Sequence, residues 1–201
     1  MRRVLIAVPT FESILPETFK SIYGLDIPVD TQCQFDFIKG YDCARARTAI
    51  ADEAVQYGFD YVLMVDSDVI LPDRALVDLL EDDPDVVLGI YPRKNTTTGQ
   101  TEVFLPGNKD FVDANNLNLD KLDAEPYSGR FDAKGGGLGC ALIKVDIFKK
   151  IPKPWFNYVM YQNGNVLSED NFFCDRATGY GFKIQADGRV RCAHLVRTFI
   201  R

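Results

Sequence analysis

Two carboxylates one residue apart, Asp66 and Asp68, are the first side chains whose types and spacing could do chemistry. They follow the apolar run Tyr61–Val65, which predicts a strand buried on both faces. In extended backbone, residues i and i+2 point to the same side, so both carboxylates can face one hard divalent cation such as Mg²⁺ or Mn²⁺. The same short pattern also occurs as a helix cap, so the rest of the chain has to decide.

The elements around this motif predict an α/β protein. Strand-like and helix-like runs alternate up to residue 91 in the order β-α-β-α-β-α-β, which implies a mainly parallel sheet with right-handed crossovers. Ligands bind at the carboxyl ends of strands in such sheets. Beyond residue 91 we expect a polar loop at 93–100, an irregular segment at 106–126, and late strands at 183–185 and 190–194 joined by a turn at Asp187-Gly188.

Composition narrows the class of protein. The chain has 201 residues and a net charge of −6, which fits one globular domain spanning 1–201 and disfavours nucleic acid as a partner. No apolar run has the length of a bilayer span, so we expect no transmembrane segment. The five cysteines contain no Cys-x-x-Cys pair, which disfavours a zinc site or disulfide framework and favours a cytoplasmic location.

Three further features carry candidate functional side chains. His194, the single histidine, ends a predicted late strand. Glu169 and Asp170 follow Ser168 at a predicted helix start, where acidic residues also simply stabilise the helix dipole. The glycine run at 135–137 permits close backbone approach or only flexibility. Trp155 could stack on a sugar ring or pack in the core.

Four blocks of sequence together resemble GT-A fold nucleotide-sugar glycosyltransferases, close to the family 2 type. In chain order they cover more than half of the sequence, and the resemblance implies a GT-A (Rossmann-like) three-layer α/β/α sandwich with a mainly parallel central sheet and late antiparallel strands. The blocks are AVPTFESILPETFKSI, ARARTAIADEAVQYGFDYVLMVDSDVILP, GGGLGCALIKVDIFKKIPKPWF, and SEDNFFCDRATGYGFKI followed by VRCAHL.

The resemblance implies a role for each acidic or imidazole group. Asp68 and His194 would bind Mn²⁺ or Mg²⁺, and Asp66 would contact the ribose or sugar, or reach the metal through water. In inverting members, the second acidic residue of a similar Glu-Asp pair deprotonates the acceptor. Asp170 would therefore be the base, and Glu169 its support or an acceptor contact.

The resemblance also implies a donor pocket, in which Arg47 contacts the nucleotide while Arg45 is solvated. Glu12 and Thr48 stand where the family often has asparagine, which makes the role of Glu12 less defined. The implied donor-binding residues are Pro9, Thr10, Glu12, Arg47, Asp66, Ser67 and Asp68, and the implied contacts to donor sugar or acceptor are Gly136, Gly137, Trp155 and Glu169.

The predicted function is transfer of a sugar from a nucleoside-diphosphate sugar to an acceptor hydroxyl of a glycan, lipid or protein, with inversion. Residues 1–91 would form the nucleotide-binding half and 92–201 the acceptor and metal-completing half. Acceptor recognition would fall to the segment 106–126, to a second subunit of an oligomer, or to another protein.

Three alternatives stay open at this stage. VDSDVI also fits the first motif of a haloacid dehalogenase-like phosphatase, but two β-α units precede it and no later Gly-Asp element follows. A nucleotidyltransferase would need a glycine-rich opening loop, which the Pro-Thr-Phe turn replaces. A non-catalytic glycan-binding GT-A module would keep the fold without the chemistry.

Overall fold

The computed structural model describes residues 1–94, 99–107 and 115–196. Residues 95–98 and 108–114, which belong to the predicted polar loop and irregular segment, lie outside the described residues. The helices are α1 (Pro16–Tyr23), α2 (Cys43–Gln56), α3 (Ala75–Leu79), α4 (Asp146–Lys150) and α5 (Glu169–Gly179), with a 3₁₀ turn at Leu119–Lys121. The strands are β1 (Arg2–Thr10), β2 (Thr31–Lys39), β3 (Tyr61–Val65), β4 (Val69–Ile70), β5 (Val86–Ile90), β6 (Gln100–Phe104), β7 (Asn116–Asn118), β8 (Arg130–Asp132), β9 (Gly135–Gly136), β10 (Cys140–Lys144), β11 (Val159–Met160), β12 (Val166–Leu167), β13 (Ile184–Arg191) and β14 (Ala193–His194).

The central sheet has seven strands in the order β2-β1-β3-β10-β5-β13-β8. Strands β1, β2, β3, β5 and β13 run in one direction, while β10 and β8 run in the other. The predicted α/β class, with a mainly parallel sheet and late antiparallel strands, is confirmed. Strand β3 lies inside the sheet, between β1 and β10, so its carboxyl end is flanked by neighbouring strands on both sides.

Helices cover both faces of the sheet. Leu5 and Ala7 of β1 pack into the core layer that contains α2, α4 and α5, whereas Val4 and Ile6 pack into the layer that contains α1 and α3. Alternate residues of a strand point to opposite faces, so one continuous apolar strand serves two cores. This gives the three-layer α/β/α sandwich.

Local signals place the helices close to where the sequence predicts them. Pro16 occupies the first turn of α1. The Asp42 carboxylate accepts a hydrogen bond from the backbone N–H of Arg45 at 3.0 Å and so caps α2. Gly58, just past the end of α2, has a φ of +68°, a conformation that glycine adopts readily.

The late strands differ from the prediction. Asp187 and Gly188 form no turn between two strands, because both lie inside the single irregular strand β13. Asp187 is fully buried and pairs with Arg130 at 3.4 Å and Arg189 at 2.6 Å. A Cβ on Gly188 would lie 1.7 Å from the carbonyl oxygen of Tyr127, so glycine is required here for close chain approach.

Within the residues that the structure describes, no helix is both long enough and apolar enough to span a bilayer.

Candidate functional site

A continuous cleft lies at the carboxyl ends of the central strands. It has two adjoining parts of about 480 Å³ and about 530 Å³. Ser67 and Asp68, just after β3, line both parts, and so does Lys94, just after β5. The cleft is therefore where the general rule for open α/β sheets puts a ligand site.

Backbone hydrogen bonds hold the Asp66-Ser67-Asp68 motif in place. The N–H of Asp66 donates to the carbonyl of Gly139 at 2.9 Å. Strand β14 pairs with β4, with His194 opposite Val69, and the N–H of Leu195 donates to the carbonyl of Asp68 at 2.9 Å. This short antiparallel pairing brings His194 to Asp68 from the far end of the chain.

The Asp68 and His194 side chains meet at one point of the cleft. His194 Nε2 lies 3.4 Å from Asp68 Oδ1, and His194 Nδ1 lies 2.8 Å from the carbonyl oxygen of Pro92. Burial alone would raise the pKa of Asp68, but hydrogen bonds from His194 and Lys94 outweigh it and lower that pKa to about 2. Burial alone would lower the pKa of His194, but the hydrogen bonds to Asp68 and Pro92 raise it.

The donor set fits a divalent cation in part. Within residues 1–94, 99–107 and 115–196, no group of three or more His, Cys, Asp or Glu side chains could hold a metal ion. Asp68 and His194 do converge, and the Pro92 carbonyl orients the imidazole as such backbone acceptors orient metal-bound histidines. Two protein ligands leave room for diphosphate oxygens and water, which is how Mg²⁺ is commonly bound.

Arg47 does not reach the surface of the cleft. It is 3% exposed on α2, with Nη2 3.1 Å from Asp66 Oδ1 and Nε 3.6 Å from Glu169 Oε1. Burial disfavours its charge, but the neighbouring carboxylates, Asp66 first, outweigh this and raise the pKa of Arg47. Arg47 therefore forms a buried link between the motif after β3 and the start of α5, and its contact with a nucleotide stays a prediction. Arg45 is exposed, as predicted.

The two acidic residues at the start of α5 lie in different environments. Glu169 is 6% exposed; burial raises its pKa although Arg47 opposes this. Asp170 lines the larger part of the cleft. Its Oδ1 accepts hydrogen bonds from the Ser168 hydroxyl and from the backbone N–H of Asn171, the latter at 2.8 Å. Ser168 precedes the helix as predicted, but its hydroxyl binds Asp170 and caps no backbone N–H.

The remaining predicted donor residues are brought to the cleft. Pro9 lines the larger part, Thr10 and Ser67 line both parts, and Glu12 lines the smaller part. The Thr10 hydroxyl donates to the carbonyl of Ser13 at 2.6 Å, which shapes the turn after β1.

Of the predicted contacts Gly136, Gly137 and Trp155, Gly137 is the one that lines the cleft. Gly136 belongs to buried strand β9, where a Cβ would lie 2.5 Å from the carbonyl oxygen of Glu102. Gly136 therefore serves close strand packing and lies behind the cleft surface. Trp155 is 6% exposed, and its indole N–H donates to the carbonyl of Ile151 at 2.7 Å. It packs in the core, which corrects its predicted contact with a sugar.

Some residues of the cleft were not predicted from the sequence. Tyr91 is buried directly after β5, and its hydroxyl accepts a hydrogen bond from the N–H of Gly139 at 2.9 Å. Lys94 hydrogen-bonds to Asp68. Glu102 and Cys43 line the larger part. Tyr91 and Lys94 follow a parallel strand, so applying the strand-end rule to β5 as well as β3 would have found them.

Comparison with solved structures supports the fold. Protein A197 from STIV superposes with a TM-score of 0.64 at 20% identity, covering 98% of this chain and 87% of that one. GalNAc-T7, a glycosyltransferase crystallised with UDP, GalNAc and Mn²⁺, gives a TM-score of 0.65 at 10% identity. That match covers 97% of this chain and 43% of GalNAc-T7. No protein-family model and no curated protein matches the sequence.

These neighbours establish a GT-A-like fold for the chain. They do not assign it to family 2, so that part of the resemblance stays a prediction.

Proposed function

We propose that the chain is a metal-dependent, inverting glycosyltransferase that uses a nucleoside-diphosphate sugar. The observation that carries the proposal is that Asp68, His194 and Asp170 open onto one cleft at the carboxyl ends of the strands of a GT-A-like fold. A cation-binding pair and a separate carboxylate are the two chemical tools that such a transfer needs.

Asp170 is the proposed general base. One of its oxygens is held by Ser168 and by the N–H of Asn171, which fixes the direction of the carboxylate. The acceptor hydroxyl gives its proton to Asp170 as its oxygen attacks the anomeric carbon, and the bond from that carbon to the diphosphate oxygen breaks. Glu169 is the proposed support, because its buried pairing with Arg47 anchors the start of α5.

Asp68 and His194 are the proposed holders of Mn²⁺ or Mg²⁺. When bound, the cation would neutralise the charge that develops on the departing diphosphate. Asp66 is 33% exposed and tied to Arg47, so its proposed contact is to the ribose or sugar, or to the cation through water.

The donor would lie along the whole cleft. Pro9, Thr10, Glu12 and Ser67 are proposed to line the nucleoside end, and Gly137 the sugar end. Residues 1–91 then supply the nucleotide half, while 92–201 supply the base and complete the cation site. The acceptor is proposed to be a hydroxyl of a glycan, lipid or protein.

A donor panel tests the proposal. The protein is incubated with UDP-, GDP-, CDP- and TDP-sugars and Mn²⁺, and release of nucleoside diphosphate is measured with and without candidate acceptors. We expect Asp68→Ala to abolish Mn²⁺-dependent donor binding. Asp170→Asn should keep donor binding and lower transfer by about 10²–10⁴-fold, the usual contribution of a general base. Asp175→Asn, an exposed carboxylate on the same helix, is the matched control.

Two of the competing functions have outcomes of their own. Phosphate release from an aryl phosphate, lost on changing Asp66, would establish a phosphatase instead. A protein that binds neither Mn²⁺ nor any nucleoside diphosphate would be a non-catalytic module. A product with the donor's anomeric configuration would rule out the inverting role of Asp170.

A further inference from the structure

Lys94 makes a contact that the proposed function does not explain. Its ammonium group hydrogen-bonds to Asp68 Oδ2, while the other oxygen of that carboxylate faces His194 Nε2 at 3.4 Å. Both oxygens of the proposed cation ligand are thus engaged, one by a lysine cation. Lys94 is 39% exposed and lines both parts of the cleft.

A divalent cation held by His194 and Asp68 Oδ1 and the Lys94 ammonium on Asp68 Oδ2 cannot occupy one carboxylate together at low cost. Like charges a few ångströms apart in a half-buried cleft repel strongly, so a divalent ion at Asp68 requires the Lys94 ammonium to move. Lysine carries its charge on a flexible stem of four carbons, so the movement needs no change in the backbone. From its position in both parts of the cleft, the displaced ammonium can reach other anions.

The structure assigns Lys94, resting on the proposed function, as the residue that exchanges with a divalent cation at Asp68 and then binds the diphosphate of the donor. Lysine is a common phosphate binder that acts as a compact point charge. Another acidic side chain on the cleft wall, Glu102, already lies 3.5 Å from Arg93. Lys94 thereby links binding of the cation to binding of the donor, because the ion releases the lysine that the diphosphate needs.

The competing interpretation is an ordinary surface ion pair. An exposed ion pair typically contributes little free energy. If the contact between Lys94 and Asp68 is only such a pair, removing Lys94 leaves the affinities for metal and nucleotide unchanged. Lys183 provides the comparison, because it pairs with Asp132 at 2.8 Å on an exposed part of the surface away from the cleft. Changing either lysine to methionine removes one charge and keeps most of the length of the side chain.

The test measures binding, without turnover, by titration calorimetry. Mn²⁺ is titrated alone, and then the best-bound of UDP, GDP, CDP and TDP is titrated at saturating Mn²⁺. We expect Lys94→Met to bind Mn²⁺ alone about five-fold more tightly, because a competing cation is gone. It should bind the nucleoside diphosphate about ten-fold more weakly, because a charged hydrogen bond is lost. Lys183→Met should match the wild type in both titrations.

The outcomes separate this inference from the proposed function. If the wild type binds neither Mn²⁺ nor any nucleoside diphosphate, the proposed function fails and the inference falls with it. If the wild type binds both and Lys94→Met has the same two affinities, only the role of Lys94 is overturned. Tighter Mn²⁺ with unchanged nucleotide affinity would overturn the diphosphate contact. Lys94→Arg, which keeps the charge, should bind Mn²⁺ no more tightly than the wild type.

Discussion

The stability of the fold is predicted to depend strongly on Arg47. It is 3% exposed and lies between Asp66 and Glu169, at 3.1 Å and 3.6 Å. In Arg47→Met the apolar part of the side chain is kept, but the buried Glu169 carboxylate loses its counter-ion. Breaking a buried ion pair costs about 3–5 kcal/mol. Asp66 is 33% exposed and can be solvated, so we expect the lower end of that range.

The assay is urea denaturation followed by circular dichroism, arranged as a double-mutant cycle. Glu169→Gln removes the stranded charge, so the double variant should lose at least about 1 kcal/mol less than the two single losses added together. Arg45→Met is the matched control on the same helix. Its side chain is 78% exposed, and we expect a change within about 0.5 kcal/mol.

Two results would refute this reasoning about Arg47. One is a loss no larger than that of Arg45→Met. The other is a double-mutant cycle in which the two losses simply add. If Arg47→Met does not fold at all, recovery of folding in the double variant decides the matter, because only a charge-pair role predicts it.

Three further predictions concern the surroundings of the site. Gly139→Ala should destabilise the protein by about 1–3 kcal/mol in urea, because its Cβ would lie 2.7 Å from Asp66 Oδ2 and 2.8 Å from the Tyr91 hydroxyl; an unchanged midpoint would contradict that packing. Tyr91→Phe should cost about 1–3 kcal/mol by the same measurement, because the buried N–H of Gly139 loses its acceptor. Burial, and then a hydrogen bond with Asp36, raise the pKa of Glu53 to about 7, so the folded state binds its proton more tightly than the unfolded chain, whose glutamate has a pKa of about 4.3. The stability that this proton contributes is complete below the unfolded pKa and is lost as pH rises through about 7. Glu53→Gln should therefore raise the urea midpoint at pH 8 and leave it unchanged at pH 4, and equal effects at both pH values would count against the shifted pKa.

The α/β class and the early strands and helices could be predicted because their signals are local. Tyr61–Val65 is apolar throughout, Asp42 caps a helix and Pro16 opens one, and each of these depends on neighbours within a few residues. The turn predicted at Asp187-Gly188 was wrong, because an Asp-Gly pair occurs both in turns and, as here, within a strand where another chain segment approaches closely. Here the carboxylate is buried against arginines from elsewhere, and only the fold shows that.

The site was less predictable because its contacts are non-local. The meeting of Asp68 with His194 depends on the pairing of β14 with β4, which the sequence indicated only through a family resemblance. The sequence predicts that Arg47 contacts a nucleotide and gives no sign of its buried ion pairs, because arginine is rarely buried unless paired and the partners of Arg47 come from distant segments. From the sequence, Trp155 could equally well pack in the core or contact a ligand. In the structure its ring packs against Phe148 in the core.

The two carboxylates of the opening motif differ in what holds them. Both the backbone and the side chain of Asp66 are held: its N–H donates to the carbonyl of Gly139, and its carboxylate pairs with Arg47. Arg47 also pairs with Glu169. Asp68 faces His194 and Lys94 in the open cleft. The two carboxylates of the motif therefore have different surroundings, because Asp66 ties the strand end to α5, whereas Asp68 lies in the open cleft where we propose a cation binds.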